Sequence, residues 1–240
     1  MATLPGEIPH EIGYAYCKVL VGCLERTIKH FRQTFFIYDA PEKLTFSGTS
    51  QATFSFDASG VFSYPGHNCE AWIEAKGHKD GTKVYEGFKE FLAKSYVTTV
   101  LNARNSADFF WFVTNVPFGS TIGRNLTSHE FISKILTTEK NSSVENIIGS
   151  LPIDPDHVKD LSRRVAVGIF TDSYIQIMGV SYLVQPGDNV WKIIKTLHGN
   201  RMPSFAPIPD LVARLNGLEN PNKIRSGSRL HFPWYGIRWD

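Results

Sequence analysis

The chain has 240 residues and carries 25 basic against 23 acidic side chains, a formal net charge of +2. So mild a balance demands neither nucleic acid nor an acidic partner, and the length suffices for one large domain or one domain with a small appendage. Three cysteines, Cys17, Cys23 and Cys69, cannot form a complete disulfide framework, and none lies in a Cys-x-x-Cys pair that would point to zinc or redox chemistry. The opening residues have neither the basic region nor the apolar run of a secretory signal, and no later segment reaches transmembrane length. The expectation is a cytoplasmic protein with no membrane partner.

From Glu11 to Phe31, apolar residues recur as Ile12, Tyr16, Val19, Leu20, Cys23, Leu24, Ile28 and Phe31, the spacing of one helix face, with Cys17 and Cys23 as small core residues. The pattern breaks around Pro41 and turns, from Leu44 to Phe62, into short β-prone runs with Gly48 and Gly60 as turn points. Phe54 and Phe56 alternate with Ser55 and Asp57, which puts Asp57 on the polar side of its strand near a turn. After Tyr64-Pro65-Gly66, the stretch from Ala71 to His78 reads as a strand. On it Glu74 and Lys76 project together at a strand edge, while Ile73 and Ala75 point to the apolar side. His67 and His78 flank it as surface histidines.

An Asp57 on the neighbouring strand would bring its carboxylate to Glu74, and two hard oxygen donors beside a lysine make a magnesium site suited to phosphodiester hydrolysis. The plainer alternative is a solvated strand edge with Glu74 and Lys76 as an ordinary ion pair. Val84, Tyr85, Phe88, Phe91, Leu92, Ser95, Tyr96 and Thr99 trace a second helix face, with Lys89 and Lys94 expected on a charged outer side. Phe109 to Val116 is apolar on both faces, as in a central strand between helix layers. Thr127-Ser-His-Glu130 forms a capping box, and Asp156 is placed to cap a further helix through Val158 and Leu161. Periodicity leaves Val165 to Phe170 open between strand and helix.

Taken in order, Asp57, Glu74-x-Lys76, the helix from Tyr85 to Tyr96 and the apolar run from Asp108 to Thr114 resemble a PD-(D/E)xK nuclease of the restriction-endonuclease-like group, with Phe56 where that family has proline. The resemblance implies an α/β fold, a mixed sheet flanked by helices, and a magnesium-dependent endonuclease, with manganese as a substitute, that hydrolyses DNA. It assigns metal binding to Asp57, Glu74 and the carbonyl of Ala75, and makes Asp57, Glu74 and Lys76 catalytic. Lys76 would orient the attacking water and stabilise negative charge at phosphorus. An acidic residue of the first helix, Glu11 or Glu25, would complete the metal shell, and a homodimer is implied if both strands of a duplex are cut.

The C-terminal stretch offers a second resemblance. Ser181-Tyr-Leu-Val-Gln-Pro-Gly-Asp-Asn-Val-Trp-Lys-Ile-Ile194, the helical run from Ile208 to Leu218 closed by Asn216-Gly217, and the Ser226-Gly227 turn leading to Pro233 are similar to a LysM domain. This implies a small βααβ module at residues 181–240 behind a nuclease-like domain at 1–180, with a glycan site at Gly187, Asp188 and Asn189. The segment Arg201 to Pro209 lengthens the connection between its helices beside that site. Trp191 and Ile193 are expected in the module's core. The aromatic tail Phe232, Trp234, Tyr235 and Trp239 is expected to pack on the first domain or on a second subunit. The module would serve assembly or target contact, through protein or glycan. The competing reading is a non-catalytic glycan-binding or structural protein, such as a phage-tail-like component.

Overall fold

The computed structural model describes residues 7–28, 31–49, 53–64, 67–77, 81–101, 106–118, 126–138, 143–171, 174–193, 212–213, 216, 218–221 and 223–238. Its first half runs α1 (Glu7–Thr27), β1 (Phe31–Phe36), α2 (Pro41–Leu44), β2 (Thr45–Ser47), β3 (Thr53–Ser55), β4 (Ala58–Tyr64), β5 (His67–Lys76) and α3 (Gly81–Leu101). There follow β6 (Phe109–Thr114), α4 (His129–Thr138), α5 (Ser143–Ile148), α6 (Pro155–Ser162), β7 (Val165–Phe170), β8 (Tyr174–Leu183) and β9 (Arg229–Arg238). β2 and β3 form a separate small ribbon, and the other strands make one mixed sheet in the order β1-β4-β5-β6-β7-β8-β9. β5, β6 and β7 are parallel, and the remaining neighbours are antiparallel.

The parallel core demands cover on both faces, because each parallel connection needs a crossover that lays helices on the sheet. β6 obeys: Phe109, Trp111 and Val113 join the α1-side core, while Phe110 and Phe112 join the α3-side core. Each fully buried phenylalanine contributes about 2 kcal/mol of transfer free energy, so these two layers dominate the stability of the sheet. β7 is a strand, which periodicity left open. Its apolar run is equally at home in a buried helix, and what decides is the free parallel edge of β6.

α1 begins earlier and ends earlier than the apolar spacing suggests. Its buried stripe is Cys17, Leu20, Val21 and Leu24, whereas Tyr16 and Val19, one step round the helix, stand 42% and 59% exposed. Phe31 belongs to β1, not to the helix. Cys17 is buried as expected and Cys23 only partly. Gly60 is no turn: it sits inside β4 opposite Gln33 and Ala71, where a Cβ would lie 2.2 Å from the Phe31 ring and 2.9 Å from the Arg32 carbonyl oxygen. The glycine is there to let that ring cross the strand.

α3 is enclosed on more than its sheet-facing side. Tyr96 donates to the Pro152 carbonyl at 2.9 Å and accepts from the Asp154 N–H at 2.8 Å, which ties α3 to the segment ahead of α6. Lys89 is therefore buried, paired with Glu86 at 2.8 Å and lying 5.2 Å from the centre of the Tyr85 ring, rather than on a solvated face. Both helix caps fall beside the expected residue. Ser128, not Thr127, accepts from the Phe131 N–H at 3.2 Å, and Asp154, not Asp156, accepts from the N–H groups of Asp156 and His157 ahead of Pro155.

At the C-terminal end, β8 runs across residue 180 and pairs with both β7 and β9. The Val184 N–H bonds to the Ser228 carbonyl at 2.9 Å, and the Gly227 N–H to Val184 at 2.8 Å, closing the base of this ribbon. Between its strands lie a tight turn at Gly187 (φ +81°), with Asp188 accepting from the Gln185 N–H, and a helical turn at 190–193 capped by Asn189 through the Lys192 N–H. Gly227, at φ +80°, makes the second turn. Val184, Val190, Ile193, Val212 and Leu230 are buried together and join the α1-side apolar cluster. Trp191 departs from its expected place in the core and stands 46% exposed. The linker from Arg201 to Pro209, Gly217, His78 and Trp239 lie outside the described residues, as do the side chains of Glu11, His67 and the aromatic residues of β9.

Candidate active site

β5 carries the charged pair, and it is an interior strand between β4 and β6, not an edge. Alternation sends Ala71 and Ile73 to the α1 side, and Trp72 and Glu74 to the α3 side. Glu74 is only 1% exposed, so its carboxylate must be compensated in place. Lys76, two residues on and on the same face, reaches Oε1 of Glu74 at 2.8 Å. The methylene stem of Lys76 lies over Gly87 of α3, where a side chain would crowd it at 3.3–3.6 Å.

Asp57 reaches the same place from the other strand. The β4–β5 ladder ends at Ala58 opposite Ile73, and the Asp57 N–H still bonds to the Ile73 carbonyl at 2.8 Å. Asp57 then bends away, its carbonyl accepts from the Ile37 N–H at 2.8 Å, and its Oδ2 accepts from the Ala75 N–H at 2.8 Å. Asp57 does not lie on one strand with Phe54 and Phe56: β3 ends at Ser55, and the aspartate occupies the bend between two sheets. The N–H and carbonyl of a strand residue leave the backbone on the same side, so the Ala75 carbonyl also opens toward Asp57.

A fourth group was not foreseen. Lys94 of α3 donates to both oxygens of Glu74, at 2.9 and 3.1 Å, and to the Ser55 carbonyl at 3.0 Å. It is no outer-face lysine. The signal for it was present in its neighbours: Phe91, Leu92, Ala93, Ser95, Tyr96 and Val97 are all apolar or small, and a lysine set within a helical stretch buried all round needs an internal partner. Glu25, by contrast, accepts from the Gln33 N–H at 2.7 Å at the start of β1.

Two carboxylates and two ammonium groups thus share the site. Burial raises the Glu74 carboxyl, but Lys94 and Lys76 outweigh it and hold Glu74 below its ordinary range. Asp57 has no lysine in hydrogen-bond contact with its carboxylate among the interactions described. Burial first, and the neighbouring Glu74 charge second, push it up to about 6. Glu74 raises the Lys76 ammonium well above its usual value against the opposing effect of burial, with Asp57 adding to the rise. Burial, then Asp57 and Glu74, raise the Cys17 thiol of α1, so this cysteine stays neutral within the α1-side core.

Among the described residues, no three His, Cys, Asp or Glu side chains converge as a metal cage. The hard donors at this place are the Asp57 carboxylate, bonded to the Ala75 N–H, and the Glu74 carboxylate one residue earlier on β5, with the Ala75 carbonyl beside them. That is a hard set, suited to magnesium or manganese rather than to zinc. An acid lifted first by burial and second by a neighbouring carboxylate also fits a cation, whose charge would offset both effects. Comparison of the chain with models of known families, with curated proteins and with solved structures returns no match. Among the described residues no helix is long and apolar enough to cross a membrane.

Proposed function

We propose that the chain is a divalent-cation-dependent endonuclease of the PD-(D/E)xK kind, hydrolysing DNA phosphodiester bonds, with a LysM-like C-terminal module that serves assembly or target contact. The observation that carries this reading is the Asp57 carboxylate hydrogen-bonded to the N–H of Ala75, the residue between Glu74 and Lys76. That this contact lies where β4 and β5 part supports the reading of the sequence motif as one site. Within the main sheet, the order α1, antiparallel β1, β4 and β5, then α3 and parallel β6, with α2 and the β2–β3 ribbon inserted after β1, supports the same reading.

Asp57, Glu74 and the Ala75 carbonyl would hold the magnesium or manganese ion, which when bound supplies Lewis-acid polarisation of a phosphoryl oxygen. Lys76, 28% exposed at its side chain, is the site cation open to solvent, placed to orient a water and to meet negative charge developing at phosphorus. Lys94 holds the Glu74 carboxylate in place from behind. Without a cation the quartet is electrically balanced, two acids against two lysines, and a bound dication would leave a surplus for an anionic phosphate to satisfy.

Plasmid nicking with magnesium, manganese or EDTA tests the reading. The wild type should cut only with a dication, and Lys76→Ala should lose at least about a hundredfold in rate, the scale on which loss of one preorganised charge-stabilising group is felt, while staying cooperatively folded at the assay temperature with a lowered thermal midpoint, because Lys76 is one of the two cations on the buried Glu74. Cleavage by Lys76→Ala at the wild-type rate would remove the assignment. The second reading, a glycan-binding or structural protein, is favoured by one observation: Trp191 stands exposed beside the turn that carries Gly187, Asp188 and Asn189. Retention on chitin or peptidoglycan beads that is lost in Trp191→Ala, with no nicking under any dication, would establish it instead.

A further inference from the structure

The chain contains 31 aromatic residues, and among those whose side chains are described only Tyr16, Tyr38 and Trp191 are exposed. Two of these three flank the carboxylate–lysine site. The Tyr16 ring lies against Gly77, the residue after Lys76, so closely that a Cβ there would sit 2.6 Å from it. Tyr38 follows Ile37, whose N–H bonds to the backbone of Asp57. Its ring is backed by Tyr14 at a centroid distance of 4.4 Å, and Lys18, one helical turn beyond Tyr14, places its ammonium 3.9 Å from the Tyr14 ring centre. Exposing tyrosine rings at 42% and 46%, when nearly every other aromatic side chain described is withdrawn into the core, leaves apolar faces that folding does not use.

We infer that Tyr16 and Tyr38 are stacking platforms for unpaired bases, and that the substrate is single-stranded nucleic acid or a single-stranded flap, which rests on the nuclease reading above. A base inside a duplex has both faces occupied by its neighbours and cannot lie on a side chain, whereas an unpaired base offers its whole face. Tyr16 meets the residue after Lys76 from α1, and Tyr38 follows the residue bonded to Asp57, so a strand stacked on them would pass its backbone by Lys76. Lys18 supplies a second cation for a flanking phosphate. A substrate of this kind is cut once, so the site needs no second copy of the chain.

Binding is measured by fluorescence anisotropy of labelled oligodeoxythymidylate, oligouridylate and a blunt hairpin duplex, with EDTA present so that nothing is cleaved. At least one single-stranded oligomer should bind more tightly than the hairpin. Tyr16→Ala and Tyr38→Ala should each weaken that binding about tenfold, the usual worth of one stacked base, and Tyr16→Phe and Tyr38→Phe should retain it. Tighter binding of the hairpin, wild-type affinity in both alanine variants, or a phenylalanine loss equal to the alanine loss overturns the inference. Each result is read without turnover, so it stands apart from the nicking assay. Nicking that survives a failed stacking test keeps the nuclease reading, and stacking without cleavage of either plasmid or the single-stranded oligomers under any dication removes that reading alone.

Discussion

Glu74 has almost no water around it, and its charge survives because two ammonium groups are brought within 3.1 Å. Removing one of them leaves a buried carboxylate half compensated, the circumstance in which broken ion pairs are costly. Lys94→Ala should lower stability by about 3 kcal/mol in urea unfolding. The paired change Glu74→Gln with Lys94→Met should recover most of the loss, because it removes the buried charges together. A wild-type urea midpoint for Lys94→Ala would show that the contact does not hold the fold. Asp57 behaves in the opposite sense. Its acid is lifted from 3.8 to about 6, so between those values the folded chain keeps a proton that the unfolded chain releases. Its contribution to stability is therefore greatest at low pH and is lost as pH rises toward 6. Cation binding needs the ionised acid, so the rise in melting temperature produced by magnesium should be small at pH 5 and larger at pH 7.5. Asp57→Asn should abolish both dependences, and a magnesium shift unaffected by pH would contradict the assignment.

At the scale of elements, the site exists because β4 and β5 separate after Ala58 and Ile73, and because α3 crosses the sheet with a lysine pointing inward. α6 helps to fix α3 from the outside through Tyr96, whose hydroxyl meets the segment that begins with the Asp154 cap. Asp154→Ala frees two N–H groups at the start of an eight-residue helix and should cost about 1 kcal/mol in thermal or urea unfolding. Asp156→Ala, two residues later and without that role, should cost markedly less. Equal losses would mean that the cap is not what anchors α6.

For the whole molecule, the sheet has two ends: β1 at one and β9 at the other. Among the described residues β9 is the sole partner of the outer edge of β8, with pairs that run from Leu183 opposite Arg229 to Tyr174 opposite Arg238. Deleting residues 233–240 would remove the pairs at Trp234, Tyr235, Gly236, Ile237 and Arg238 and leave that half of β8 as a bare edge. The truncated chain should melt at lower temperature and show a higher mass in light scattering as open edges associate. A monodisperse product with an unchanged melting point would mean that the tail is dispensable to the sheet. The same measurement on the full chain decides between the dimer that duplex cleavage would require and the single copy that suffices for an unpaired strand.

Composition and local pattern were enough to mark the mixed α/β fold, the central strand from Phe109, the helix around Phe88 and Phe91, and the partnership of Glu74 with Lys76. Each of these rests on a period of two or near 3.6, or on two residues fixed to one face by the pleat. The helix phase at Tyr16, the interior position of β5, the strand identity of Val165 to Phe170 and the exposure of Trp191 did not follow from such periods, because each depends on which surface arrives opposite. Lys94 and Asp57 make the point most plainly. They stand 37 residues apart in the chain, on different elements, and only the tertiary crossing of α3 over the parting of β4 and β5 brings both to Glu74. A buried carboxylate selects its partners by distance in space, and no short-range rule of the chain records that distance.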